Sequence, residues 1–120
     1  MQSDRELLEA AAKAAGIEIH ESDDGTLQRR PAWAVYHYVQ GQPYTEVRWD
    51  PLRDDGQALR LAVKLKIPLQ FPDWQDIART WGREDDGEGF YETALQHNGD
   101  LAAATRRAIV RAAASQGGVK

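Results

Sequence analysis

Apolar and polar positions alternate with two different periods along the chain, and the change of period marks its elements. Leu7, Leu8, Ala11, Ala12 and Ala15 recur at three- and four-residue spacing, which puts them on one face of a helix. Ser3 followed three residues later by Glu6 is a capping box, and Gly16 is a C-terminal stop, so the spacing predicts a helix from about 4 to 15. Ile17 and Ile19 then alternate with Glu18 and His20, as in a short strand with one covered face. The polar stretch 21–31, with Asp24-Gly25 inside it, reads as a surface loop or an irregular hairpin.

Residues 32–39, AWAVYHYV, carry the strongest strand signal, and neither of their alternating sides is polar, so both faces should be covered. A turn at Gly41-Gln42-Pro43 leads into a returning strand, Tyr44 to Trp49, with Val47 and Trp49 inward and Arg48 outward. Asp50-Pro51 ends it. Asp54 is the expected cap of a second helix, with Gln57 at the reciprocal position and ALRLAVKL at 58–65 apolar around most of its circumference. Ile67, Leu69 and Phe71 alternate as a further strand next to Pro68. Residues 77–82 and 89–95 form an expected hairpin around an acidic turn. Asp100 caps a last helix running to about Gln116, with Leu101, Thr105, Ala108, Ile109 and Ala112 inward; small residues there permit close packing. The pattern therefore predicts an α/β (α+β) chain: a mostly antiparallel sheet with helices on both faces, a three-layer sandwich.

With 120 residues the chain fits one domain, 1–120, and an apolar share of 42 % is ordinary for a globular protein. Nineteen acidic against fifteen basic residues give a net charge of -4, which argues against binding nucleic acid through overall charge. The absence of cysteine removes disulfides, thiolate metal sites and thiol nucleophiles. No apolar run is long enough for a membrane span and the start lacks the regions of a signal peptide, so a cytoplasmic location is expected and no membrane partner.

Catalytic constellations are missing. His20, His37 and His97 do not cluster, and the three serines lie outside any GxSxG elbow. No phosphate-binding glycine loop occurs, and the acidic groups read as turn and cap residues, with Asp54-Asp55 the pair best placed to hold a divalent ion for hydrolysis. No cofactor and no metal are expected, and the balance is against an enzyme. Arginine concentrates instead in the last helix. Arg107 and Arg111 share a face and Arg106 is displaced from them, forming a basic stripe that suits either a solvated surface or contact with phosphates or an acidic partner. Trp33, Trp49, Trp74 and Trp81 are core by default, but Trp74 and Trp81 have acidic neighbours; an exposed aromatic beside Asp73 and Asp76 points to a protein-binding surface. The candidate binding residues are thus Arg106, Arg107, Arg111, Trp74 and Trp81.

Two stretches, Trp49 to Leu65 (WDPLRDDGQALRLAVKL) and Ala103 to Ala114 (AATRRAIVRAAA), together with the opening DRELL to Gly16, resemble a family of small uncharacterised bacteriophage and prophage proteins whose domain is described as a phage α-β-α sandwich. The resemblance covers both ends and the middle of the chain, while 21–31 and 72–98 fall outside it. It implies a fold and a phage origin but no reaction. The expectation is a non-enzymatic accessory or interaction protein whose partner is a host or phage protein, with a nucleic-acid-binding module on the last helix and a metal-dependent hydrolase as alternatives.

Overall fold

The computed structural model describes residues 3–22, 24–29, 47–83 and 86–117. It is an α+β structure in two compact units, Met1–Gly16 with Asp50–Lys120, and Ile17–Trp49. The aromatic strand expected at 32–39, with Trp33 and His37, lies outside the described residues, and the three-layer order rested on it.

In the smaller unit, β1 (Ile19–Glu21) and β2 (Leu27–Arg29) form a hairpin, and β3 (Val47–Arg48) pairs antiparallel with β2. Thus the polar stretch after Glu21 is a hairpin. Its turn closes because the Asp24 carboxylate accepts from the hydroxyls of Ser22 and Thr26 and from the Thr26 amide, while Gly25 takes the left-handed φ of 83°. Those bonds favour the charged carboxylate, and the Ser22 hydroxyl above all holds its pKa down to about 2. Trp49 is buried and Arg48 exposed, as their alternation predicts.

In the larger unit, α1 (Asp4–Ala15) has the expected boundaries: the Ser3 hydroxyl accepts from the Glu6 amide at 3.2 Å, the Glu6 carboxylate accepts from the Ser3 amide at 3.1 Å, and Gly16 closes the end at φ 69°. Helix α2 (Asp55–Leu65) is capped by Asp54, which accepts from the Gln57 amide at 2.9 Å. The Gln57 side chain does not complete a capping box; its Oε1 accepts instead from the Asp50 amide at 2.5 Å, tying the chain ahead of the helix to it. Helix α3 (Leu101–Gly117) starts where Asp100 accepts from the Ala103 amide. The sheet is antiparallel: β4 (Leu69–Gln70) pairs with β5 (Ile77–Thr80), which pairs with β6 (Phe90–Thr93). The strand expected at Ile67 to Phe71 is cut to two residues because Pro68 has no amide to give and Lys66 leaves α2 at a left-handed φ of 54°.

The middle of this unit is a helix. α3 packs on β5 and β6 on one side and on α1 and α2 on the other, and it buries Ala104, Ala108, Ile109, Val110, Ala112, Ala113 and Ala114. That is nearly its whole circumference; the inward set expected from the sequence is too narrow, and Leu101 and Thr105 stay partly exposed. Alanine permits it. On the sheet side, a Cβ added to Gly82 would stand 2.0 Å from the Ala112 carbonyl oxygen and from Ser115 Oγ. On the other, a Cβ on Gly117 would stand 2.1 Å from the Ala10 carbonyl oxygen. Thr80, fully buried, donates from Oγ1 to the Ala108 carbonyl at 2.7 Å and pins strand to helix. No helix among the described residues is long and apolar enough to cross a membrane.

Candidate functional site: an exposed aromatic groove

Because α3 is covered on both sides, its arginines lie at the seams between elements. Arg106 donates to the Asp55 carboxylate at 2.6 Å and to the Leu52 carbonyl at 2.9 Å, fastening the start of α2. Arg107 donates to Asp4 at 2.7 Å, fastening the start of α1. Arg111 donates to Glu92 at 2.5 Å and to the Tyr91 carbonyl at 3.2 Å, fastening β6. The expected basic stripe is therefore a set of three ties, each neutralised by a carboxylate of a different element.

Glu92 is the hub of the third tie. It is 9 % exposed and faces α3, with Arg111 on one oxygen and, on the other, His97 Nε2 at 2.8 Å and Arg107 Nε at 3.9 Å. His97 thus sits beside a buried carboxylate. Of the acidic pair, Asp54 is the cap of α2 and Asp55 is the partner of Arg106. Among the described residues no three His, Asp or Glu side chains converge as a cation requires.

Trp74 behaves differently from every other tryptophan described. After β4, Pro72 opens a single tight turn in which Asp73 and Trp74 both take left-handed backbone, φ 52° and 61°. A bulky residue held there costs about 1–3 kcal/mol, and such strain gathers at functional positions. The side chain gains no burial in return, being 98 % exposed. Phe71 is also exposed, and together with Leu101 at the start of α3 these rings line an open groove of about 650 Å³ edged by Asp73, Gln75 and Asp76. The arrangement offers apolar contact area inside a carboxylate rim.

Trp81 lies elsewhere, on the sheet face turned away from α3. There Gly89, at φ 86°, lies beneath the indole: a Cβ on it would come within 2.9 Å of Trp81 Nε1 and 2.3 Å of the Thr80 carbonyl. Arg79 lies over both the Trp81 ring, 4.3 Å from its centroid, and the Tyr91 ring, at 4.9 Å. The two tryptophans singled out in the sequence therefore belong to separate surfaces, and the arginines to neither. Arg79 and Glu92 escaped the sequence reading, and Phe71, expected in a strand with Ile67 and Leu69, lies past the end of β4 and is exposed. For Glu92 a signal existed: it alternates with Phe90 and so shares that residue's covered face, where a carboxylate requires cationic partners.

Compared with protein-family models, with curated proteins and with solved structures, the chain matches none.

Proposed function

We propose that the chain is a non-enzymatic accessory protein of a phage or prophage, acting in the host cytoplasm by docking a partner protein in the groove of Phe71, Asp73, Trp74 and Asp76. The observation that carries the docking reading is Trp74, a full indole in solvent on a left-handed backbone whose side chain gains no burial inside the fold. Exposed tryptophan supplies large contact area at small entropic cost and is the residue type most enriched where interfaces gain their energy. The two exposed carboxylates beside it select the occupant: a protein segment presenting a lysine or arginine next to an aliphatic side chain, the cation meeting Asp73 or Asp76 while the apolar group covers Phe71 and Trp74. The phage origin is supported by the resemblance of residues 49–65 and 103–114. The arginines of α3, each already donating to a carboxylate, lend no support to the nucleic-acid alternative, and Asp54 and Asp55, already bonded, lend none to the hydrolase.

The test is a titration with peptides carrying adjacent lysine and leucine, followed through the Trp74 indole N–H resonance. Their glutamate-for-lysine counterparts are the control. Saturable shifts for the lysine set alone, weakened by salt and by Phe71→Ala, are expected. Equal response to both sets, or none to either, overturns the reading.

A further inference from the structure

The sheet face opposite α3 carries a second constellation, built around Arg79. Cross-strand pairing sets Arg79 directly opposite Tyr91, and two-residue alternation places Trp81 on the same side. The guanidinium is held three ways: it lies over the Trp81 and Tyr91 rings, and its Nε donates to the Glu88 carbonyl at 2.6 Å. Arg106, Arg107 and Arg111 are held by carboxylates and are neutralised by what holds them. Arg79 is held by aromatic faces and a carbonyl, which fix its position and leave its positive charge. Among the described residues no carboxylate lies within ion-pair distance of it. Of the described acids of the adjoining turn, Asp86 is committed through Oδ2 to the amides of Gly82 and Arg83 and to Ser115 Oγ, and Glu88 meets Arg79 through its carbonyl.

With Nε already bonded, the remaining donor edge of the guanidinium is the Nη1–Nη2 pair, which makes no hydrogen bond or ion pair among the described residues. Two parallel N–H donors in a plane fit two oxygens of one anion, the geometry in which arginine exceeds lysine. Fixing the side chain beforehand removes the rotamer entropy that a free surface arginine loses on binding. Tyr91 is exposed, so the face is reachable from solvent. The geometry points to Arg79, flanked by Trp81 and Tyr91, as a preformed subsite for an oxyanion, a carboxylate or a phosphate group of a ligand that lies across this face of the sheet. It is separate from the groove at Trp74 and carries the opposite charge.

Inorganic phosphate and acetate are the probes, titrated at constant ionic strength against chloride, with the Arg79 Nε–H and Trp81 indole N–H resonances as readout. Saturable shifts confined to these groups are expected. The stronger of the two anions identifies the source as phosphate or carboxylate. Arg79→Lys keeps the charge but not the fork and should weaken binding at least about fivefold. Tyr91→Leu, which keeps Arg79 but removes one stacking face, should weaken it as well, and it serves as the test if the lysine variant fails to fold. Shifts no larger than those caused by chloride, or full affinity in Tyr91→Leu or in a folded Arg79→Lys protein, overturn the proposal.

Discussion

Replacing Glu92 by glutamine keeps the shape of the side chain and removes its charge. In the native protein this carboxylate, 9 % exposed, faces Arg111 at 2.5 Å, His97 at 2.8 Å and Arg107 at 3.9 Å. Removing one member of a buried ion pair costs roughly 3–5 kcal/mol, chiefly because the other charge is left desolvated. Arg107 and Arg111 are a quarter to a third exposed and can turn partly to water, and Arg107 keeps Asp4, so a loss of about 2–3 kcal/mol is expected. For a chain of this length that lowers the melting temperature by roughly 10 °C, a large part of a stability of about 6–18 kcal/mol. Asp55→Asn is the internal control. It breaks a contact of similar length to the same helix, but Asp55 is 78 % exposed and Arg106, only 16 % exposed, keeps its bond to the Leu52 carbonyl, so the loss should be about 1 kcal/mol. Urea unfolding of both variants, with the double mutant Glu92→Gln/Arg111→Gln to separate pair from hub, measures the contrast. If the Glu92 and Asp55 variants lose the same stability, burial does not decide the worth of these ties and the account of α3 as a clamped centre fails.

Gly82→Ala should cost about 1–3 kcal/mol by urea unfolding, because its new methyl meets the Ala112 carbonyl of the α3 backbone as well as the Ser115 hydroxyl; wild-type stability would show that strand and helix are not in the contact described. Trp74→Gly should retain or slightly raise the melting temperature, since the indole is in solvent and glycine accepts a φ of 61° without strain; a loss above about 1 kcal/mol would mean that Trp74 packs against something. The Asp24 carboxyl should titrate near pH 2 by NMR and move up in Ser22→Ala. Its folded pKa is depressed, so its contribution to the hairpin is complete above the ordinary carboxylate pKa near 4 and is lost as pH falls through about 2; a midpoint near 4 in the native chain would remove the turn bonds as its cause.

Helices were legible where local chemistry fixes their ends. Ser3 with Glu6, Asp54 and Asp100 each mark a first turn that needs an acceptor, and each is found accepting there. The hairpin of β5 and β6 was legible from its two apolar runs and the acidic turn between them. Illegible was the order of layers. A run such as AATRRAIVRAAA is compatible with one buried face or with two, because alanine has too little apolar surface to mark a face, and only the approach of β5 and α1 from opposite sides decides between them. Once α3 is central, its arginines lie at seams, so the same three residues that read as a surface stripe become internal ties. Trp74 was singled out for its acidic neighbours, and its left-handed backbone was invisible because tryptophan is seldom found there. Arg79 was missed because stacking depends on which residues face each other across two strands.

The helix that separates the two halves of the larger unit is also the last of that unit's elements to leave a ribosome. α1 and the sheet are joined chiefly through it, so α1 must wait for its main partner while roughly ninety further residues are made, and the contact between α1 and α3 closes one of the longest loops the chain contains. Slow, late and nearly simultaneous acquisition of protection by α1, α2 and the sheet in pulse-labelling hydrogen exchange is the kinetic mark of such a keystone.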